Sequence, residues 1–250
     1  CSLSVAMPIL SACGVETVPL PTVILSTHTA SGFGDYVMRD MTDEMKAFAA
    51  HWKKLDVKFD GICTGFFASA EQIRFAESFL RDFGGEDTLI VVDPVLGDNG
   101  ALYGCFSEEY VQAMRTLCKA ARLITPNHTE AALLAGCSMD TDVNELLEKL
   151  PVENVIITGV RRGEEIGYCA RLDGEYTEIF RPCIPQTLHS TGDVFASALC
   201  GALMNGKTMP RALEDAAKFC DDCVQKTVKR GEAHWYSLAF EDVLKEERER

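Results

Sequence analysis

The chain has 250 residues, 47% hydrophobic and 25% charged, which fits a single α/β domain spanning 1–250. Its formal charge of −14 argues against a nucleic-acid or anionic-membrane partner. No apolar run approaches the roughly 20 residues needed to span a bilayer.

In chain order, Ser4 to Cys13 reads as a helix ended by Gly14, and Val15 to Ser26 as an extended, β-rich stretch. The small polar cluster Ser26-Thr27-His28-Thr29 follows, then the glycine-containing, aromatic segment Ala30 to Tyr36, with the composition of a covering loop. Thr42 to Leu55 patterns as an amphipathic helix with Thr42 as cap. Phe59 to Thr64 is a short strand, and Ser69 to Phe83 a helix opened by Ser69-x-x-Gln72, a capping-box pattern. Thr88 to Asp93 has the uninterrupted apolar core of a strand buried on both faces, ending at Asp93-Pro-Val-Leu-Gly-Asp98. Ser107 to Ala120 is a helix and Ala121 to Thr125 a strand, running into Asn127, which can cap a helix reaching Ala135. Val155 to Ile157 is a strand ending at Thr158-Gly159, and a hairpin turns at Asp173-Gly174. The helix after His189-Ser190-Thr191-Gly192-Asp193, a long helix from Arg211 to Lys229 and a polar tail complete the chain.

Strand and helix alternate, which predicts an α/β fold with a doubly wound, mostly parallel central sheet and helices on both faces. Ligands bind such sheets at the carboxyl ends of strands. Asp93, Asp98, Thr125, Asn127, Glu130, Thr158 and Asp193 all fall just after strands or at helix starts. Each has a plain structural alternative, such as Asn127 as a cap or Asp98 in an Asp-Asn-Gly turn, but seven polar residues on one edge point to a site. A helix N-terminus with unpaired N–H groups suits a phosphate. A carboxylate there, Asp193, reads either as an N-cap or as the base for a hydroxyl attacking phosphorus. Carboxylates and amides without a His/Cys cluster suit Mg²⁺. Together these features describe phosphoryl transfer to a hydroxyl.

Eleven scattered cysteines, an odd number in a large chain, read as mostly buried free thiols of a cytoplasmic protein. Cys220-x-x-Cys223 has no matching second pair and falls within a helix pattern. Gly201 to Thr208 matches the nucleotide-binding P-loop pattern, but no strand precedes it and Gly206 reads as a helix C-cap, so the match is rejected.

The motifs resemble those of the ribokinase superfamily, and within it the bacterial pyridoxal/pyridoxamine (vitamin B6) kinases. Ser190-Thr-Gly-Asp193 is similar to the superfamily's G-[TV]-G-D anion-hole motif. Asp93-Pro-Val-Leu-Gly-Asp98, Tyr103 and Thr125-Pro-Asn127-His-Thr-Glu130 resemble the vitamin B6 kinase segments, as do Ser26-Thr-His-Thr29 and Thr64-Gly-Phe66. The resemblance implies ATP-dependent phosphorylation of the 5′-hydroxymethyl group of pyridoxal, pyridoxamine or pyridoxine. Asp193 would be the base, with Thr191, Gly192 and Asp193 as the anion hole. Asp93, Asn127, Glu130, Thr158 and Gly159 would bind ATP, and Asp93 and Glu130 would organise Mg²⁺. Asp98 and Thr125 would line a site for K⁺ or another monovalent cation. Ser26, His28, Thr29, Phe66 and Thr191 would contact the vitamer, and Ala30 to Asp40 would form a lid. The same resemblance implies a homodimer and a further β-strand preceding Cys1. Two departures stand out: Ser190 replaces the motif's first glycine, and Phe66 replaces a tyrosine. Two other readings stay open: a kinase for another hydroxymethyl compound such as hydroxymethylpyrimidine, and a B6- or nucleotide-binding protein with little turnover.

Overall fold

A computed structural model describes residues 2–29, 33–186, 188–231 and 236–249. Its elements begin with α1 (Ser2–Ala12), β1 (Val23–Leu25), β2 (Met38–Asp40), α2 (Thr42–Lys54), β3 (Gly61–Thr64), α3 (Ala70–Phe83) and β4 (Leu89–Val92). There follow β5 (Gly97–Asp98), β6 (Ala101–Leu102), α4 (Glu108–Cys118), β7 (Leu123–Ile124), α5 (His128–Ala135) and α6 (Val143–Lys149). The last are β8 (Asn154–Arg162), β9 (Glu165–Leu172), β10 (Glu175–Pro182), α7 (Thr191–Met204), α8 (Met209–Arg230) and α9 (Phe240–Arg248). No described helix is long and apolar enough to cross a membrane.

The contacts group the chain into two compact units, one of Cys1–Pro19, Ile24–Arg39 and Ile184–Arg250, the other of Leu20–Val23 and Asp40–Cys183. The second unit carries a six-stranded sheet of order β10-β9-β8-β7-β4-β3. From β3 to β8 the neighbours run parallel, while β8, β9 and β10 form an antiparallel meander. The fold is therefore α/β with a central, mostly parallel sheet flanked by helices. Its core packs Val92, Ile124, Val155 and Ile157 from the strands against Ile73, Leu80, Met114, Leu117 and Leu146 from helices. The β8–β9–β10 meander includes the hairpin read at Asp173-Gly174, with Glu175 opposite Leu172.

In the first unit, α7 packs on α8 and α1, and α8 packs on α9. Gly201 lies inside α7 where it meets α1: a Cβ there would stand 2.6 Å from the Cys13 Sγ. Lys207 follows the end of α7 and pairs with Asp215 at 2.6 Å. The P-loop pattern is thus a helix interior followed by a turn, as the sequence reading expected.

Several local readings change. Met41, not Thr42, is the N-cap of α2, and the Thr42 N–H donates to Asp40 Oδ1 at 2.8 Å. Asp40 thus does the capping from one residue further out. Ser69 accepts from the Gln72 N–H, as expected of a cap. The Gln72 side chain does not complete the box. It is fully buried, accepts from the Ala68 N–H, and donates to the Thr22 carbonyl and Thr42 Oγ1. The β-rich stretch from Val15 condenses to β1, paired with β2 in a two-stranded ribbon outside the main sheet. The polar tail contains α9, because Phe240 and Val243 bury one face while Glu241 and Asp242 open the helix and Lys245 and Arg248 close it. Of the lid expected over Ala30 to Asp40, Ala30 to Gly32 lie outside the described residues, and Met38–Asp40 is β2.

Candidate active site

In the second unit the site residues cluster where β4, β7 and β8 end. β4 runs out at Val92, and the chain turns through Asp93-Pro94 to Leu96 and Gly97. A Cβ on Gly97 would come within 2.1 Å of the Ala101 carbonyl, so only glycine allows the tight β5–β6 pairing that carries Asp98. β7 ends at Ile124, and Asn127 then starts α5.

Asn127 and Glu130 form a true capping box. The Glu130 N–H donates to Asn127 Oδ1 at 2.9 Å, and the Asn127 N–H donates to Glu130 Oε2 at 2.8 Å. The remaining ends of both side chains reach back to the β4 loop. Glu130 Oε1 accepts from the Leu96 N–H at 3.0 Å, and Asn127 Nδ2 donates to the Gly97 carbonyl at 2.8 Å. Two strand-end loops are thus pinned together by one buried carboxyl and one amide. Burial pushes the Glu130 carboxyl well above its ordinary range, and the Asp93 charge adds to this; the backbone N–H donors act in the opposite sense. Thr158 joins the cluster through its N–H, which donates to the Pro126 carbonyl at 2.8 Å, and through a bridge to Asn127. A register irregularity between Ile157 and Val160 places Thr158-Gly159 in a bulge, the kind of local distortion that re-aims a strand end.

The two cation-site candidates differ. Thr125 Oγ1 is buried without a hydrogen-bond partner, a natural donor for a cation. The Asp98 carboxylate accepts from both the Asn99 N–H, at 2.8 Å, and Asn99 Nδ2, at 3.0 Å, so it is engaged in its own turn. Phe66 packs on Phe106 with ring centroids 5.9 Å apart, and its carbonyl accepts from Thr22 Oγ1 at 2.8 Å. The Tyr103 hydroxyl, pushed up to about 12 by burial and by the Glu130, Asp98 and Asp93 charges, stays protonated.

In the first unit, α7 begins at Thr191 with Ser190 as its N-cap residue. Ser190 has φ 68° and ψ 14°, the left-handed conformation, and it makes no side-chain cap bond. That conformation costs a non-glycine residue about 1–2 kcal/mol. Its Oγ is also buried without a partner, a further cost of about 1–3 kcal/mol. Asp193 is half-buried in the first turn of α7. Burial raises its carboxyl above the ordinary range, opposed by a hydrogen bond from Ser2 and by the charge of His28.

His28 is the sequence-predicted residue that this unit brings into electrostatic reach of Asp193. Its ring lies 5.3 Å, centroid to centroid, from both Phe33 and His189, and Phe33 and His189 are 5.4 Å apart. Burial first, then His189, holds the His28 imidazole below its ordinary value, while the Asp193 charge acts in the opposite sense. Phe33 and His189 were missed as a pair, since nothing in their spacing links positions 156 residues apart in the chain. The Ser26 hydroxyl accepts from the Val37 N–H at 2.9 Å and closes the β1–β2 ribbon. Thr29 and Gly192 lie at this unit's loops and helix start.

Residues 15–237 match the family model described as phosphomethylpyrimidine kinase. A Bacteroides thetaiotaomicron protein assigned to those kinases, in a crystal form with pyridoxal, is 38% identical. The alignment covers 98% of this chain and 89% of that one, with a TM-score of 0.90. Pyridoxal kinase from Lactobacillus plantarum is 32% identical over 97% of this chain and 90% of its own, also at a TM-score of 0.90. The Bacillus subtilis hydroxymethylpyrimidine/phosphomethylpyrimidine kinase is 28% identical over 72% of this chain and 68% of its own.

Proposed function

This chain belongs to the phosphomethylpyrimidine kinase family and is a kinase of the pyridoxal or hydroxymethylpyrimidine type; we propose that it transfers the γ-phosphoryl group of ATP to the 5′-hydroxymethyl group of a B6 vitamer. The observation that carries the choice of acceptor is the 38% identity, over 98% of this chain, to the Bacteroides protein crystallised with pyridoxal.

Asp193 takes the proton of the attacking hydroxyl. Its raised carboxyl supports this role, because a base closer to the working pH accepts a proton more readily than an ordinary aspartate. The N–H groups at the start of α7, at Thr191, Gly192 and Asp193, hold the moving phosphoryl group at the positive end of the helix dipole. Thr29 meets the ring's polar edge and Thr191 one of its faces, with His28 among the residues that contact the vitamer. Ser26 contributes by shaping the ribbon, since its hydroxyl already accepts from Val37.

On the nucleotide side, Asp93, Thr158 and Gly159 contact Mg·ATP. Mg²⁺ keeps several of its waters and is bound through one or two carboxylates and the substrate phosphates. Asp93 would hold Mg²⁺ in this way. Glu130 acts through water or by position, because both its oxygens accept from backbone N–H groups. Mg²⁺ would supply charge neutralisation for the phosphates. Asn127, with its amide occupied at both ends, fixes the loop that carries these contacts. A potassium-type ion fits the unpartnered Thr125 Oγ1 better than it fits Asp98. Exposed apolar side chains on and beside the β1–β2 ribbon, Ile24, Val37 and Met38, support a homodimer.

The test is a side-by-side measurement of kcat/KM with ATP on pyridoxal, pyridoxamine, pyridoxine and hydroxymethylpyrimidine. A B6 vitamer is expected to lead by tenfold or more. A lead for hydroxymethylpyrimidine, the acceptor in the name of the Bacillus subtilis relative, transfers the same chemistry to that acceptor. Binding of pyridoxal with no ADP formed overturns the kinase mechanism.

A further inference from the structure

Ser190 carries two local costs that nothing within the described residues offsets. Its backbone sits at φ 68°, a region that glycine enters freely and serine does not. Its hydroxyl oxygen is buried, on a residue only 9% exposed, and has no hydrogen-bond partner. A serine at an N-cap ordinarily accepts from an N–H two or three residues on, and this one makes no such bond. Buried hydroxyls without partners are rare enough in folded proteins that each calls for an explanation, a catalytic role or a bound group among them. Strained non-glycine residues, likewise, cluster where a site requires them.

The location narrows the ligand. Ser190 caps a 14-residue helix whose first turn has unpaired N–H groups, and Asp193 is three residues further on. A group arriving there meets backbone donors and the positive end of the dipole, so it is an anion. A hydroxyl with no internal acceptor is free to add one more donor to that set. We infer that the Ser190 hydroxyl is a catalytic residue, donating a hydrogen bond to an oxygen of the phosphoryl group in transfer. The hydroxyl makes no cap bond of its own, so it does not compete with the backbone donors for an internal partner. The inference rests on the kinase reading above, and it gives a role to a serine at a position where glycine would be unstrained.

Ser190→Gly and Ser190→Ala test it together. Both remove the hydroxyl, and only the first relieves the backbone. Both are expected to lower kcat by roughly ten- to a hundredfold, within the range seen for losing one donor to a developing oxyanion, with KM for ATP and acceptor changed less than threefold. Ser190→Gly should also melt about 2–4 °C higher. Binding of ADP with aluminium fluoride, a mimic of the phosphoryl group in transfer, should weaken about tenfold in both variants while binding of ADP alone holds. Two results overturn the inference: both variants within twofold of wild type in kcat, or Ser190→Gly fully active while Ser190→Ala is impaired, which would assign the effect to backbone shape. Wild-type turnover of pyridoxal or hydroxymethylpyrimidine separately tests the kinase reading, so the two failures are distinguishable.

Discussion

Asn127→Ala removes the residue that ties the β4 and β7 loops together, and the structure sets the size of the effect. The substitution deletes the cap of α5, in which Oδ1 accepts from the Glu130 N–H at 2.9 Å. Losing such a cap costs about 1 kcal/mol. It also deletes the bond from Nδ2 to the Gly97 carbonyl at 2.8 Å, worth a further ~1 kcal/mol. Glu130 is only 5% exposed, so its N–H is left without solvent to replace the lost acceptor. Together these give a loss of about 2–4 kcal/mol in urea unfolding, or about 5–15 °C in melting temperature. Asn127→Ser separates the two parts. Its hydroxyl can still cap α5 but is too short to reach Gly97, so the expected loss is about 1–2 kcal/mol. A loss for Asn127→Ala under about 0.5 kcal/mol, the scale of a neutral surface change, would refute the pinning role. Equal losses for Ala and Ser would show that the cap contributes nothing.

Asp193→Asn should retain ATP binding and lose roughly 10²–10⁴-fold in kcat, read by steady-state kinetics, and a variant within threefold of wild type would exclude Asp193 as the base. Because the base works deprotonated and burial raises its carboxyl, the acid limb of kcat against pH should fall at a higher pH than an ordinary aspartate, near 4, would give. Thr125→Val swaps the unpartnered hydroxyl for a methyl, and it should flatten the K⁺ response in a salt-matched titration while the melting temperature holds or rises. Lys207→Ala should leave turnover and the ATP KM unchanged, since Lys207 pairs with Asp215 on the surface, and a large rise in KM would place the nucleotide elsewhere.

Much of the site was legible in the sequence because it depends on local rules. Asn127 with Glu130, Ser69 before α3, the Asp173-Gly174 turn and the apolar run of β4 each follow from spacing within a few residues. The order of strand ends placed Asp93, Thr125, Asn127, Glu130 and Thr158 on one edge, and the rejected P-loop failed on local context alone. What the sequence left open was decided by contacts between distant segments. Gln72 reads as half of a capping box, yet it binds Thr22 and Thr42, because a buried amide must satisfy all its donors wherever partners lie. The tail reads as polar until Phe240 and Val243 find a buried face. Asn127 and Glu130 read as ligands, but the free ends of their side chains are taken up by Gly97 and Leu96, some thirty residues earlier. His28 and His189 meet only in the fold. Ser190 shows the division most plainly. Its identity is a sequence fact, but its left-handed backbone and unpartnered hydroxyl exist only once the surrounding chain has closed over them.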